Sequence, residues 1–357
     1  MKKFKVGFLL SITIVVAPNI SCKKDKDHDG VSTEKKVVVS TVAGDGVDGF
    51  LNGAASSARF DTPVDVAVAA DGSIYVADYN NHRIRKIAGG QVTTFAGSGT
   101  YGIVNGDGQS AQFKDPYRIA VDGGGNVFML DQVDPRVRKI SPASDVTTYA
   151  GTDQSGFQNG SALQAQFQVN AEGLTADAQG NVYVGDTFNE RIRKISVAGE
   201  VSTQAGNGTE GFTDGDLTTA QFRFPDGIAI DAQGNIYVGD GGNFCIRKVT
   251  PAGVVSRFAG SGTKGTADGN AANSQFDSII DLAVDSQGNL FVIDGNRIRK
   301  VTSQGVVSTI AGSTEGFADG DGIMAKFKAP FGLAIDAQNN IYVADANNNR
   351  IRKITIQ

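Results

Sequence analysis

The sequence predicts an all-β fold, a six-bladed β-propeller with four antiparallel strands in each blade. Glycine occurs 46 times in 357 residues and proline only 8 times, a composition that favours a turn-rich β-protein over a collagen-like chain. An Ala-Gly dipeptide recurs every 52 to 55 residues, which indicates one unit repeated six times. The glycines of these dipeptides are Gly44, Gly97, Gly151, Gly206, Gly260 and Gly312.

Each unit contains four short runs rich in β-branched residues, which the fourth unit illustrates. Its runs cover residues 227–230, 235–240, 246–249 and 254–259. They are bounded by Gly, Asn or Asp and show no helical period, so they predict strands. Glycines between successive runs provide the positive φ that hairpin turns need. Radial repetition protects the edges of such sheets, and this favours a propeller.

The two ends of the repeat region predict a closed ring rather than an open solenoid. The last unit stops after its third strand, at residues 350–354. The missing fourth strand is found at the front, where residues 38–44 match residues 306–312 almost position for position. We therefore expect residues 37–357 to form the propeller, with the N-terminal strand completing the last blade.

The start of the chain predicts where the protein is located in the cell. Three lysines and an apolar run over 6–17 are typical of a secretory signal peptide, and the run is too short to span a bilayer. We assign residues 1–21 to this signal. Cys22 follows in a context that resembles a bacterial lipobox, so we expect lipidation of its thiol. The alternative is an ordinary signal peptide with a chance cysteine.

Residues 22–36 predict a flexible, lipid-anchored tether, because they are charged and offer nothing to bury. The run Asp25-x-Asp27-x-Asp29-Gly30 also resembles the front of an EF-hand loop. That loop requires a glutamate at its twelfth position, where this chain has Lys36, so the pattern favours the tether.

The repeat motif resembles the NHL repeat. Asp345-x-x-Asn348-x-Arg350-Ile-Arg352-Lys follows a run of strand residues at 341–344. Copies occur at Asp78/Asn81/Arg83 and Asp186/Asn189/Arg191, with weaker ones at Asp131/Asp134/Arg136, Asp240/Asn243/Cys245 and Asp294/Arg297. The chain looks like a lipid-anchored NHL-repeat protein of Bacteroidetes type, within the gluconolactonase-like six-bladed superfamily. Residues 23–29 resemble the export tags of such lipoproteins, which implies the outer membrane, on the cell surface. The fold hosts scaffolds, receptors and enzymes.

Residues that recur in every unit are expected to serve the blade itself. The repeated Asp caps a turn in this interpretation, and the Arg of the motif pairs with it across blades. A phenylalanine lies seven residues after each Asn-Gly or Asp-Gly and is expected to plug the core. The loop of roughly 20 residues before each first strand has two interpretations, a functional crown around the channel mouth or a second structural layer. The phenylalanines are Phe60, Phe113, Phe167, Phe222, Phe276 and Phe327.

Positions that differ between units point to a site at the channel mouth. Glycine starts the first strand in three units, at Gly173, Gly227 and Gly332, but not in the other three. The predicted ligand-binding residues are Asp65, Tyr117, Arg118, Glu172, Asp226 and Asp281. Oxygen ligands suit hard cations such as calcium, and gluconolactonase-like propellers hold a catalytic divalent ion in this region. The predicted metal ligands are Asp65, Glu172, Asp226 and Asp281. Another small ligand and an empty hydrated mouth are the alternatives.

Composition separates the possible function classes. The net charge of −5 argues against nucleic-acid binding. His82 is the only histidine beyond the tether, and Cys245 lies in a predicted strand, so histidine-dependent lyase or serine-type chemistry lacks its base. The sequence favours an envelope binding propeller, a receptor or scaffold for a protein or glycan. The alternative is a divalent-metal-dependent hydrolase or lactonase. No cofactor is certain, and the membrane is contacted through the lipid alone.

Overall fold

A computed structural model describes residues 35–357, and these residues form six antiparallel sheets arranged as propeller blades. In each blade the first strand lies nearest the central channel, and the second, third and fourth strands follow outwards. The predicted six-bladed, all-β fold is confirmed. The predicted signal peptide, Cys22 and the predicted tether up to residue 34 lie outside the described residues. No helix within residues 35–357 has the length and apolarity to cross a bilayer.

The four main strands of each blade follow the chain from the centre outwards. Blades 1 to 3 contain Pro63–Val68, Ile74–Asp78, Arg83–Ala88 and Gln91–Ala96; Pro116–Val121, Val127–Asp131, Asp134–Ile140 and Val146–Ala150; and Gly173–Ala176, Val182–Asp186, Arg191–Ile195 and Glu200–Ala205. Blades 4 to 6 contain Pro225–Ile230, Ile236–Asp240, Cys245–Val249 and Val255–Ala259; Ile279–Val284, Leu290–Asp294, Arg297–Val301 and Val307–Ala311; and Pro330–Ile335, Ile341–Asp345, Arg350–Ile356 and Val37–Ala43.

The ring closes as the sequence predicts. The N-terminal strand Val37–Ala43 pairs antiparallel with the C-terminal strand Arg350–Ile356, with Val37 opposite Ile356. Its buried Val39 joins the apolar core between blades 5 and 6, and Ala43 joins the core between blades 6 and 1. All six apolar clusters combine residues of two neighbouring blades, so each blade depends on the next for its core.

The long loops form a second structural layer on the outer edges of the blades. In three blades the loop supplies a short fifth strand that pairs with the fourth strand, at Gly53–Ala54, Gly160–Ser161 and Gly320–Asp321. In the other three blades an isolated bridge takes its place. The six phenylalanines predicted to plug the core are completely buried, which confirms that assignment. Short 3-10 turns occur at Tyr79–Asn81, Thr187–Asn189, Gly241–Asn243, Gly322–Met324 and Ala346–Asn348.

In five of the six blades a buried arginine joins the aspartate at the blade corner to the long loop, and it is not the arginine of the predicted pair. In blade 1, Arg85 Nη1 donates to Asp78 Oδ2 at 2.6 Å, and Nη2 donates to the Leu51 carbonyl at 2.9 Å. The expected partner, Arg83, instead places its guanidinium 4.0 Å from the centre of the Phe50 ring. The predicted pairing across blades is therefore wrong. The pair lies within one blade, because Arg85 rather than Arg83 points inwards from the third strand.

Candidate functional site

The six predicted site residues lie where the first strands begin, at two successive positions of the repeat. One position carries Tyr117, Glu172 and Asp226, and the next carries Asp65, Arg118 and Asp281. The face at this end also carries the four 3-10 turns that follow second strands and the starts of the long loops, where Asn81 Nδ2 donates to the Gly49 carbonyl at 2.9 Å. We call this the crown face.

Arg118 closes the channel below the crown face. Its side chain crosses from blade 2 to the opposite side, where Nη2 donates to the Ile280 carbonyl at 2.9 Å. Nη1 donates to the Phe331 carbonyl at 3.1 Å and lies 3.6 Å from Asp281 Oδ2. The guanidinium also stacks on the Phe331 ring, and only 2% of Arg118 is exposed. Arg118 is thus a buried cross-brace rather than a group open to a ligand from the crown face.

Asp65 and Asp281 connect neighbouring blades. Asp65 Oδ2 accepts the Ile119 backbone N–H of the next blade at 2.8 Å, and Asp281 Oδ2 accepts that of Leu333 at 2.9 Å. Burial is the main influence that raises the pKa of both carboxyls, and the Arg118 charge opposes it. The two aspartates and Arg118 come together as predicted, but their hydrogen bonds serve the ring.

Glycines in the adjoining blades make room for these two aspartates. A Cβ on Gly332 would lie 2.0 Å from Asp65 Oδ1, and a Cβ on Gly227 would lie 2.5 Å from the Asp281 Cα. Such distances are far below van der Waals contact. Packing between neighbouring blades therefore partly explains why some units have glycine and others aspartate at this position. The aspartates do not by themselves indicate a ligand site.

The channel beyond this cross-brace is a cavity of about 180 Å³. Its wall consists of the first strands of all six blades, mostly small and aliphatic residues such as Ala67, Ala120 and Ala229. Because Arg118, Asp65 and Asp281 close its inner end, this cavity lies on the side of them away from the crown face.

The mouth on the crown face has an aromatic side and an acidic side. Tyr117 packs against Phe331 with ring centres 5.2 Å apart, and Tyr79 meets Tyr117 edge-on at 6.4 Å. Burial is the main cause that raises the Tyr117 pKa, and the negative charges of Glu172 and Asp226 add to it. These three predicted residues therefore share one electrostatic environment.

A pocket of about 400 Å³ opens on the acidic side, between blades 3, 4 and 5. Two phenylalanine rings, Phe188 and Phe224, stand at its edge with centres 6.0 Å apart, and 52% and 37% of these residues are exposed. The pocket is lined by Glu172, Thr187, Phe188, Phe224, Asp226, Gly241, Gly242, Ser278 and Ile279.

Gly241 and Gly242 create the space in this pocket. A Cβ on Gly241 would lie 2.2 Å from Asp226 Oδ2, and a Cβ on Gly242 would lie 2.4 Å from the Arg223 Cγ. Other units carry larger side chains here, as in Tyr79-Asn80 and Thr187-Phe188. The Asp226 carboxylate therefore occupies space that a side chain at position 241 would contest.

Asp226 and Glu172 differ from the other carboxylates near the axis. Within residues 35–357 no hydrogen bond or ion pair reaches either carboxylate, although both are largely withdrawn from solvent. Burial raises the pKa of Glu172, and burial followed by the Glu172 charge raises the pKa of Asp226 to about 8. The charges acting on Asp226 are those of Glu172, Arg118, Asp240 and Glu190. Desolvation and mutual repulsion thus destabilise two negative charges in one pocket.

The four predicted metal ligands do not form one ligand set. Asp65 and Asp281 lie in the closed channel with backbone partners, whereas Glu172 and Asp226 face the pocket. Among residues 35–357 no group of three or more His, Cys, Asp or Glu side chains is arranged to hold a metal ion. Calcium takes six to eight oxygen ligands, more than one pair of carboxylates provides. Metal binding stays a prediction.

Comparison with known proteins identifies the repeat. A model of the NHL repeat matches residues 60–87 and 327–354. The chain carries NHL repeats. A model described as the SMP-30/Gluconolactonase/LRE-like region matches residues 162–260, which include the pocket residues of blades 3 and 4.

Similar proteins extend over most of the NHL propeller. Teneurin-3 of Mus musculus is 27% identical over an alignment covering 90% of this chain and 14% of the relative, and Teneurin-4 of Homo sapiens is 28% identical over 85% and 12%. The chain thus spans less than a sixth of these relatives.

Solved structures show the same fold. A Bacteroides thetaiotaomicron protein of unknown function is 22% identical, with a TM-score of 0.69 over 91% of this chain and 77% of that chain. An auxiliary nutrient binding protein of the same species is 17% identical, with a TM-score of 0.67 over 90% and 77%.

Sequence reasoning located Glu172 and Asp226 but missed the aromatic and glycine residues around them. Phe188 and Phe224 lie outside the first strands, whose irregular positions predicted the site. The Gly241-Gly242 pair is visible as a departure when the units of the NHL propeller are aligned. That signal marks the corner where the pocket opens.

Proposed function

We propose that this NHL propeller binds a ligand through the crown-face pocket between blades 3, 4 and 5. The observation that carries the proposal is the pair of carboxylates without partners, set beside exposed aromatic rings in a cradle that glycine substitution has opened. Groups that every blade needs recur in every blade, whereas this combination occurs once within residues 35–357. A pocket with an apolar edge and a few polar groups is the usual form of a ligand site.

The structural neighbours support a binding role. One of them is described as an auxiliary nutrient binding protein, and its fold covers nine-tenths of this chain. We extend that role to this protein as part of the proposal, with a protein or glycan of the cell envelope as the partner. The acidic net charge of −5 is consistent with a partner other than nucleic acid.

The proposal also places the propeller on a lipid anchor at Cys22, on the outer face of the outer membrane. Several acyl chains anchor a protein firmly, whereas one chain binds only marginally. Replacing Cys22 by alanine should abolish labelling with palmitate and leave the protein soluble or its signal uncut. Equal palmitate incorporation in wild type and variant would refute the anchor. Protease resistance of the lipidated protein on whole cells would refute surface exposure alone.

The binding proposal is tested by capture of a partner. Wild-type protein and the Phe188→Ala/Asp226→Asn variant are applied to a glycan array and to an envelope extract. We expect the variant to lose the ligands that wild type retains, since both the edge and the charge of the pocket have changed. Asp153→Asn is the matched control, because it removes one exposed carboxylate from a neighbouring loop. Identical capture by wild type and the double variant would exclude this pocket as the site.

A divalent-metal-dependent hydrolase or lactonase is the second candidate. It is favoured by the match of residues 162–260 to the gluconolactonase-like model, which contains both Glu172 and Asp226. Purified protein is assayed for lactone and ester hydrolysis with and without a chelator, and for bound metal. Turnover that the chelator removes and that Asp226→Asn lacks would establish the hydrolase and overturn a role in binding alone.

A further inference from the structure

We infer that the crown-face pocket recognises an organic ammonium group, with the two carboxylates taking the charge and the phenylalanine rings taking the carbon skeleton attached to it. The inference rests on the proposed binding function and specifies the chemistry of its ligand. It concerns the pocket lined by Glu172, Asp226, Phe188 and Phe224.

The charge of the pocket calls for a cation. Two acidic side chains face the same cavity, and within the described part of the chain neither accepts a hydrogen bond. The arginine whose charge acts on both carboxylates, Arg118, is engaged below with two backbone carbonyls. A bound cation would restore the interactions that burial has removed from both carboxylates, and the raised pKa of Asp226 reports the same unfavourable environment.

The geometry favours an organic cation over a metal ion. A hard metal ion needs several oxygen ligands, and the described residues offer no cluster of three acidic side chains here. The exposed faces of Phe188 and Phe224 contribute nothing to such an ion. They suit an ammonium carried on carbon, because aromatic faces attract cations and also cover apolar surface.

The backbone around the pocket holds it open for an organic ammonium ligand. The Phe224 backbone N–H donates to Glu190 Oε2 of the preceding blade at 2.9 Å, and φ of Phe224 is +53°. This contact fixes the residue at the edge of the pocket. Gly241 supplies the space on the other side, against Asp226. A volume of about 400 Å³ accommodates a small aliphatic amine or an amino sugar.

Isothermal titration calorimetry of the full-length protein tests the inference with defined probes. Pentylamine is the ammonium probe, and pentanol is its neutral counterpart of similar shape. We expect pentylamine to bind at one site and pentanol to bind at least about tenfold more weakly, the difference that one charge interaction of modest strength produces. Absence of pentylamine binding at millimolar concentration would overturn the inference.

Variants show whether a loss of affinity comes from a missing charge or from a loss of folding. Asp226→Asn should weaken pentylamine binding at least about tenfold, because it removes one carboxylate while keeping the shape of the side chain. Glu172→Gln should act in the same direction. Asp153→Asn, the same chemical change on an exposed neighbouring loop, should leave the affinity within about twofold. Thermal melting of each variant verifies that it is folded, and unchanged affinity in folded Asp226→Asn would refute the inference.

Two further probes distinguish a wrong ligand class from a wrong function. If glucose binds wild type and Asp226→Asn equally while Phe188→Ala abolishes binding, the pocket binds ligands but not through charge, so the ammonium inference fails and the binding function stands. If calcium binds and displaces pentylamine, with tighter binding than the amine, the metal-dependent alternative is supported instead. If no probe binds and capture from envelope extract is unaffected by the pocket variants, both proposals fail.

Discussion

Ring closure by the first described strand is the feature most open to a decisive test. Val39→Asp places a charge in the core between blades 5 and 6, where Val39 is 1% exposed beside Phe291 and Phe327. Loss of the buried valine costs about 1.5 to 3 kcal/mol, and burial of an unpaired carboxylate adds several kcal/mol unless it is protonated. The whole protein is expected to be stable by only about 5 to 15 kcal/mol.

The neighbouring residue provides the matched control. Ser40 lies on the same strand but points to solvent, so Ser40→Asp introduces the same side chain without burying it. Scanning calorimetry should show Val39→Asp melting at least about 5 °C below Ser40→Asp. A corresponding pair of deletions tests the strand as a whole. Loss of residues 37–44 removes a partner of the C-terminal strand and exposes an unpaired edge that invites aggregation. Loss of residues 23–36 leaves every described strand in place and, among the described residues, removes two backbone hydrogen bonds between Lys36 and Gln357.

Two results would refute this reasoning. Equal melting temperatures for Val39→Asp and Ser40→Asp would show that Val39 is not buried in solution. Equal melting temperatures for the two deletions would show that the N-terminal strand does not complete the last blade.

Three other perturbations test the channel mouth and one blade corner. Gly332→Ala places a Cβ 2.0 Å from Asp65 Oδ1 and should destabilise by about 1 to 3 kcal/mol in urea unfolding, whereas Gly123→Ala, with only one atom at 4.0 Å, should match wild type. Asp186→Asn removes the carboxylate from a fully buried arginine and should cost about 3 to 5 kcal/mol; a change below 1 kcal/mol would contradict the buried pair. Asp226 has a folded pKa of about 8, above the ordinary value of about 3.9, so its stabilising protonation is lost as pH rises between these values. Asp226→Asn should therefore gain stability over wild type from about pH 4 to pH 8 in unfolding titrations, and a constant difference would contradict the raised pKa.

Local patterns were sufficient to predict the blades. The blades repeat along the chain, so their features are visible in the sequence itself. These features are the spacing of the Ala-Gly dipeptides, the β-branched runs and the displaced fourth strand. Phe60 and its five counterparts could be assigned to the core because a large apolar residue at one fixed position in every unit has few other uses. The wrong pairing of Arg83 arose because two arginines alternate along one strand, and only the direction of each side chain separates them.

At the channel mouth, the repeat pattern predicted which residues are unusual but not what they do. Irregular positions in the repeat predicted site residues that include Asp65, Arg118 and Asp226. Their roles depended on which blades face each other across the axis. Arg118 braces the opposite blades and Asp65 fills the space left by a glycine of its neighbour, and neither fact is encoded by residues nearby in the chain.

The sequence by itself determined the number of blades, the strands in each and the strand that closes the ring. These follow from repeated local preferences for turns and for alternating burial. The tertiary structure alone decided which charges are satisfied. The carboxylates of Asp65 and Asp281 receive backbone N–H groups from the next blade, while those of Glu172 and Asp226 face a pocket without a partner. All four are acidic residues on or directly before first strands, and the difference comes from the atoms that ring closure brings beside them.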